Sequence, residues 1–199
     1  MGSSTGGNDR GQAHTLEAVA AAMLLLASVL FALQVTAVTP LTGSTSSQHI
    51  ENQQAALAEG VLAAEAENGT VVPTLLYWNA SQSSFRNTSG FYRSAGPPTT
   101  FGAVLNKTLG DRNIAFDVSI YYARTNGERE KRPLVDLGEP SDHASTASRM
   151  FTLYDDDRII AANGSELGTL SETNYFAPDV APNNRVYNVV EVEVVVWRM

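Results

Sequence analysis

Residues 16–38 read LEAVAAAMLLLASVLFALQVTAV and form the longest apolar run in the chain. The run has 23 residues, its only charge is Glu17, and its only strongly polar interior residue is Gln34. At about 1.5 Å per residue, a helix of this length crosses the roughly 30 Å hydrocarbon core of a bilayer with some tilt. The pattern therefore predicts a membrane helix.

Two other interpretations of this run fit the sequence less well. A secretory signal has a shorter apolar region, a basic start and an Ala-x-Ala-like exit, whereas here the run is long and Asp9 accompanies Arg10 before it. A buried helix of a globular protein needs a large surrounding core, and the rest of the chain is too polar to supply one.

The segments next to the apolar run break its pattern on both sides. Residues 1–15, MGSSTGGNDRGQAHT, are Gly/Ser-rich without hydrophobic periodicity, which predicts disorder. After the run, Pro40 and Gly43 predict an interruption of the helix.

A second, amphipathic helix is predicted after this interruption. We expect it to begin near Ser46 or Ser47 as N-cap and to end at Asn68-Gly69. Its apolar stripe recurs every 3 to 4 residues and consists of Ile50, Gln54, Leu57, Val61 and Ala64. Three carboxylates are expected to point away from that stripe: Glu51, Glu59 and Glu65.

From Thr70 onward the pattern becomes strand-like, with frequent turn residues. The β-rich runs cover residues 71–78, 114–124, 149–154, 158–162 and 186–197. Long polar loops are predicted at 81–100 and 138–148, and the turns of a β-meander at 154–158 and 162–165.

The last of these runs has the clearest alternation. One face, expected to be core, carries Val186, Val190, Val192, Val194 and Val196. The other, expected to meet solvent, carries Tyr187, Glu191, Glu193 and Trp197. The patterns together predict an α+β fold in which a long N-terminal helix precedes a mainly antiparallel β-domain.

Composition excludes several classes of function. The net charge of -8 argues against nucleic acid as a partner, since phosphate binding needs a basic surface. The absence of cysteine excludes disulfides, thiol chemistry and Cys-ligated metals. Of 13 cationic residues only Lys107 and Lys131 are lysines, and an excess of Arg and carboxylate is a composition associated with salt-loving archaea.

Residues that could carry enzymatic chemistry do not form a recognised pattern. His14, His49 and His143 lack the spacing of a metal site. Asp142-His143-Ala144-Ser145 contains three triad residue types, but consecutive loop residues seldom converge as a triad. The sequence therefore predicts no enzyme, no cofactor and no small-molecule substrate.

One carboxylate cluster is a candidate for a metal. Asp155, Asp156 and Asp157 offer hard oxygen ligands of the kind that bind Ca²⁺. The cluster lacks the spaced ligands and terminal Glu of a calcium loop, so the pattern favours a solvated turn.

The junction before the apolar run, RGQAHTLE at residues 10–17, resembles the processing site of type IV pilin-like proteins, most closely those of halophilic archaea. The SSQHIENQQ string at 46–54 adds to this resemblance. In that family a prepilin peptidase removes a hydrophilic leader on the cytoplasmic side, and the exposed helix packs with other pilin-like subunits. The resemblance implies that Gly11, Gln12 and Ala13 are read by the peptidase.

Two cleavage bonds remain open. Cleavage between Gln12 and Ala13 makes Glu17 the fifth residue of the mature chain, whereas cleavage after Gly11 makes it the sixth. In either case a new α-ammonium lies about one helical turn from Glu17, on its own or a neighbouring chain. The resemblance implies that this carboxylate sets the axial register between subunits. The alternative is a hydrated carboxylate that is merely favourable near a helix N-terminus.

The distribution of charges and sequons suggests the orientation. Arg10 precedes the apolar run and no Lys or Arg follows until Arg86, which favours an inside N-terminus and an outside C-terminal domain. Asn-x-Ser/Thr sequons, expected as glycosylation sites in the outer part, begin at Asn68, Asn79, Asn87, Asn106 and Asn163.

The predicted organisation is a leader at 1–12, a transmembrane or assembly helix at 13–39, an amphipathic extension at 40–68 and an extracellular β-rich domain at 69–199. The expected function is structural, as a major or minor subunit of an archaeal adhesion filament anchored in the cell membrane. An uncleaved single-pass surface protein with a β-rich binding module is the alternative. A membrane-tethered hydrolase would need a pocket with a perturbed acid or base.

Overall fold

The computed structural model describes residues 8–88 and 93–198, with side chains described at 14–33, 48–88 and 93–198. The chain divides into two compact units, Met1–His49 and Ile50–Met199. The elements are, in order, helices α1 (Asn8–Glu67) and α2 (Val71–Leu76), strands β1 (Trp78–Asn79) and β2 (Ser84–Phe85), helix α3 (Thr100–Thr108), and strands β3 (Ile114–Ala123), β4 (Arg129–Val135), β5 (Ser145–Tyr154), β6 (Arg158–Ile160), β7 (Glu166–Thr169) and β8 (Val186–Arg198).

The predicted interruption of the N-terminal helix is wrong. The backbone of α1 is helical through Pro40 and Gly43, so no second helix begins at Ser46 or Ser47. A proline inside a helix removes one hydrogen bond and costs about 3 kcal/mol, but flanks rich in Ala, Leu, Gln and Glu favour helix on both sides. Residues 8–15, expected to be disordered, are also helical. The first seven residues lie outside the described part of the chain.

The end of α1 is as predicted. Gly69 adopts a positive φ of 69°, which a residue without Cβ adopts at no steric cost. The N–H of Gly69 donates to Ala66 O at 3.2 Å, and the N–H of Thr70 donates to Glu65 O at 3.1 Å. This pair of bonds is a Schellman motif, which satisfies the last helical carbonyls.

The buried stripe of the second half of α1 is rotated from the predicted one. Its buried residues are Gln54, Ala58, Val61, Leu62 and Glu65. Glu65 was expected at the surface but is 5% exposed, and Ala64 was expected in the stripe but is exposed. Burial of Glu65 is tolerated because its carboxylate accepts hydrogen bonds from Asn68 Nδ2 at 3.0 Å and Thr70 Oγ1 at 2.6 Å.

The domain is built on a four-stranded antiparallel sheet in the order β4-β3-β8-β5. The chain is therefore an α+β protein in which an N-terminal apolar helix precedes an antiparallel sheet domain. The C-terminal strand β8 lies between β3 and β5, and four of its predicted core residues are 0% exposed: Val190, Val192, Val194 and Val196. The predicted core face of this strand is thus confirmed at those positions.

The opposite face of β8 is only partly as expected. Glu191 and Glu193 are half-buried, but Tyr187 is 6% and Trp197 is 5% exposed. Tyr187 is buried because the segment before β8 crosses it, and its hydroxyl donates to Ala177 O at 3.0 Å. A strand pattern alone does not reveal such a covering segment.

Residues 71–78, predicted as a strand, form α2 followed by the short strand β1. The β-branched and apolar composition reflects burial rather than strand pairing, since Val71, Leu75 and Leu76 all enter the core. The predicted loop at 81–100 contains β2, and helix α3, which sequence patterning missed, begins at its end with Thr99 as N-cap.

The polar strand β4 was also missed. Its sequence REKRPLV has no apolar alternation at its start, and it forms an edge of the sheet, where a proline such as Pro133 is tolerated. The predicted loop at 138–148 ends early, because β5 begins at Ser145. The turns at 154–158 and 162–165 are present, although β6 pairs with β7 in a separate two-stranded sheet rather than with β5.

Candidate membrane and assembly site

The segment His14–Leu33 of α1 is the helical stretch, among the described residues, that is long and apolar enough to cross a membrane. It has 20 residues, a mean hydropathy of 2.4, and 0% of it is buried. Large apolar side chains more than half exposed occur on all sides of it, at Leu16, Val19, Met23, Leu24, Leu25, Leu26, Val29, Leu30, Phe31 and Leu33. An apolar surface of this extent needs lipid or other protein around it.

Polar groups within this segment are few. Ser28 satisfies its hydroxyl inside the helix by donating to Leu25 O at 2.8 Å. Glu17 carries the segment's carboxylate, with 81% of its side chain exposed, and His14 Nδ1 lies 3.8 Å from its Oε2. Glu17 is thus placed near the N-terminal end of the apolar segment, where it can meet a cation from solvent or from another chain.

The residues predicted to be read by a peptidase lie just before this segment. Gly11, Gln12 and Ala13 belong to the helical backbone of α1, while their side chains are outside the described residues. Their role stays a prediction.

The predicted glycosylation asparagines differ in accessibility. Asn87 and Asn163 are exposed, and Asn163 lies in the turn between β6 and β7, where its Oδ1 accepts a hydrogen bond from Ser165 N at 3.1 Å. Asn106 is half-buried in α3, with its Oδ1 bound to Gly96 N at 2.6 Å.

The other two sequon asparagines use their amide nitrogens. Asn79 Nδ2 donates to Gln82 at 2.9 Å, and Asn68 Nδ2 donates to Glu65. Since the amide nitrogen is the atom that a glycan would modify, these bonds compete with modification.

Two of the three adjacent aspartates make different side-chain contacts. Asp157 Oδ2 accepts the Tyr154 N–H at 2.8 Å and closes the turn after β5, while Asp156 faces Arg185 at 3.3 Å. Burial raises the pKa of Asp157, the Tyr154 N–H lowers it and the Asp156 charge raises it further. Across the described ranges no group of three His, Asp or Glu side chains could hold a metal ion.

The Asp142-His143-Ala144-Ser145 segment contacts helix α1 instead of forming a triad. His143 Nδ1 lies 2.6 Å from Glu51 Oε1, and Ser145 Oγ donates to the Glu51 carbonyl at 2.9 Å. The serine hydroxyl is therefore occupied by a backbone acceptor. The geometry ties this loop to the helix and does not activate a nucleophile.

A charge ladder on the outer face of the sheet was missed by sequence analysis. Arg129 pairs with Glu191, Lys131 pairs with Glu193 at 3.1 Å, and both cations lie over the ring of Tyr121. A hydrogen bond from Ser148 and then the pairing with Arg129 lower the pKa of Glu191. The sequence signal for this ladder is that basic residues alternate in β4 and acidic residues alternate in β8. The signal can be interpreted only once it is known that β4 and β8 lie on either side of β3.

The fold and the exposed segment define the class of protein. Among the described residues, one N-terminal apolar helix precedes an antiparallel sheet domain. That helix is compatible with membrane anchoring or with a signal sequence. The chain belongs to the DUF7288 family, a family of unknown function, whose model matches residues 10–196. The match includes both the apolar segment and the domain. No curated protein and no solved structure matches the chain.

Proposed function

We propose that this protein is a structural subunit, a major or minor pilin-like component, of an archaeal type IV pilus-like filament used for adhesion or surface interaction. The single observation that carries the proposal is the helix segment His14–Leu33, which is apolar on all sides and 0% buried. Such a surface is stable in lipid before assembly and against other copies of itself afterwards.

The position of Glu17 supports the same function. A carboxylate in an apolar helix is costly unless it finds a partner, and 81% of this side chain is exposed. Cleavage near Gln12 supplies that partner as an α-ammonium, on the same or a neighbouring chain. A simple membrane anchor has no need of this carboxylate.

The test is the mature N-terminus, determined by mass spectrometry on protein from the membrane and from a sheared surface fraction, with and without the prepilin peptidase. We expect a start at Gln12 or Ala13 that requires the peptidase, with material in the sheared fraction. The variant Gly11→Val should block processing, whereas the matched Gly6→Val, away from the junction, should not.

An intact leader confined to the membrane would contradict the proposal. The protein would then be an uncleaved single-pass surface protein whose β-rich domain acts as a binding module. Peptidase-dependent cleavage without any protein in the sheared fraction would identify a processed subunit of a membrane-bound machine and would exclude a filament subunit.

A further inference from the structure

A cleft of about 310 Å³ lies in the domain, between the second half of α1 and the end of the sheet where β3 begins and β8 ends. Ile50, Leu57 and Ile114 form its apolar wall. Arg112, Arg198 and Gln54 line it with polar groups. The volume is at the small end of the range for ligand pockets, so it suits a small molecule rather than a peptide.

The two arginines line the same cleft, and among the described residues they have no acidic partner there. Within the described part of the chain, neither guanidinium forms a salt bridge, whereas Arg124, Arg129 and Lys131 each pair with a glutamate. The whole chain carries a net charge of -8, so carboxylates are abundant elsewhere. Two cations that face one cleft without a counter-charge define a local anion-attracting site.

The fold fixes the two arginines next to each other. Arg198 is the Cα partner of Ile114 in the β3–β8 ladder, and Arg112 ends a short helical turn two residues before Ile114. Both side chains belong to backbone held by hydrogen bonds, since Arg112 N donates to Leu109 O at 2.9 Å. The backbone positions of the two arginines are therefore set by secondary structure.

Gln54 supplies an independent observation. The residue is 6% exposed and lines the cleft. Its side-chain amide offers both a donor and an acceptor to a ligand that enters the cleft.

We propose that this cleft binds a small organic anion, whose carboxylate or phosphate head lies between Arg112 and Arg198 and hydrogen-bonds Gln54, and whose apolar part rests on Leu57 and Ile114. The planar guanidinium group of arginine matches the geometry of a carboxylate or a phosphate. Either anionic group forms charge-assisted hydrogen bonds with it. This inference does not depend on the filament function, because it uses only the Ile50–Met199 unit.

The experiment is calorimetric titration of the full chain in detergent at constant ionic strength. Phenyl phosphate and phenylacetate carry head and apolar part together, inorganic phosphate carries the head alone, and benzyl alcohol carries the apolar part alone. We expect saturable one-site binding of phenyl phosphate or phenylacetate, with the preferred one identifying the head group. Inorganic phosphate should bind more weakly, and benzyl alcohol should not bind measurably.

Three variants assign the binding to the cleft. Arg112→Gln and Arg198→Gln should each weaken binding about tenfold or more, the loss expected for one charge-assisted contact. Arg149→Gln is the matched control, because it removes the same charge from an exposed position on β5. All three residues are exposed, so the variants should keep the wild-type unfolding temperature.

Several results would overturn the proposal. They are the absence of saturable binding for both organic anions, equal weakening by Arg149→Gln, and binding of benzyl alcohol as tight as that of the anions. Self-association that both cleft variants abolish would instead identify the arginines as contacts to a carboxylate of a second copy. Each of these results leaves the test of leader processing unaffected.

Discussion

The imidazole Nδ1 of His143 lies 2.6 Å from the carboxylate Oε1 of Glu51, although the two residues are 92 positions apart in the sequence. The contact joins the loop before β5 to helix α1, and Ser145 Oγ reinforces it on the Glu51 carbonyl. Because the side chains are 68% and 32% exposed, solvent weakens the pair considerably. Its structural effect is local anchoring of the loop.

Breaking this pair should have a small energetic effect and a clear local one. We expect Glu51→Gln or His143→Ala to lower the free energy of unfolding by about 0.2–1 kcal/mol, the usual range for exposed ion pairs. Amide hydrogen exchange in residues 141–144 should become faster, because the loop loses its side-chain anchor. Glu59→Gln, at an exposed position of the same helix, is the control and should leave that exchange unchanged.

Gly102 should not tolerate a side chain. A Cβ at this position of α3 would lie 1.8 Å from Pro97 O, a backbone atom that cannot move away cheaply. We expect Gly102→Ala to destabilise the domain by about 3 kcal/mol, which urea unfolding would measure.

The matched variant is Gly60→Ala on α1, where a Cβ would have no atom within 4 Å. It should stabilise the chain by about 0.5–1 kcal/mol, because alanine favours the helix interior. Equal changes in the free energy of unfolding for the two alanine variants would contradict the close backbone contact between Pro97 and Gly102.

Asp117 should make stability depend on pH. Burial raises the pKa of Asp117 above its ordinary value of 3.8, while the hydrogen bond from Leu137 N–H at 2.7 Å lowers it in part. The folded state therefore binds the proton more tightly than the unfolded state, so stability is highest below the unfolded pKa and falls as pH rises through the folded pKa.

Asp117→Asn should consequently be more stable than the wild type at pH 7, with the gain shrinking as pH falls toward the ordinary aspartate value of 3.8. The amide Oδ1 can still accept the Leu137 N–H. Thermal unfolding between pH 3 and pH 8 measures the difference, with the exposed Asp111→Asn as control. A variant less stable than wild type at neutral pH would contradict the sign.

Glycan occupancy should follow accessibility. We expect modification at Asn163, which is exposed in a hairpin turn, and little or none at Asn106, whose side chain is half-buried and bound to Gly96 N. Glycopeptide mass spectrometry of the native protein measures both sites. Asn163→Gln should remove the glycan mass, and Asn106→Gln should leave it; the reverse pattern would argue against accessibility as the deciding factor.

Glu17 should be needed for assembly and not for membrane insertion. If its ion pair with a neighbouring α-ammonium is worth about 1.4 kcal/mol, Glu17→Gln lowers each association constant about tenfold. The amount of subunit in the sheared fraction should fall correspondingly, while the membrane fraction is unchanged. Glu17→Asp keeps the charge and should retain part of the assembly; a normal yield from Glu17→Gln would assign this carboxylate no role in register.

Several sequence patterns predicted local structure correctly, for identifiable reasons. The buried valines of β8 occupy every second position from Val190 to Val196, as a strand with one core face requires. Gly69 ended α1 as expected because only a residue without Cβ adopts that backbone conformation freely. The apolar run at 16–38 was recognised from length and composition alone, and the candidate membrane span His14–Leu33 overlaps it.

Other predictions failed where contacts distant in sequence decide the outcome. Residues 71–78 have strand-like composition, but they pack into the core as helix α2 followed by the start of a two-residue strand. Glu65 is buried because Asn68 and Thr70 supply hydrogen bonds once the helix has ended, which periodicity does not register. The cleft between Arg112 and Arg198 exists only because the start of β3 pairs with the end of β8.

By itself, the sequence determined the apolar helix, the α+β class, the core face of the last strand and the end of the first helix. These features follow from hydrophobic period and backbone sterics, which act between neighbours along the chain. Only the tertiary structure decided the strand order, the rotation of the buried stripe on α1, the contact between Glu51 and His143, and the position of the unpaired arginines. Those depend on which distant residues share a core, since burial and charge pairing are properties of the packed molecule.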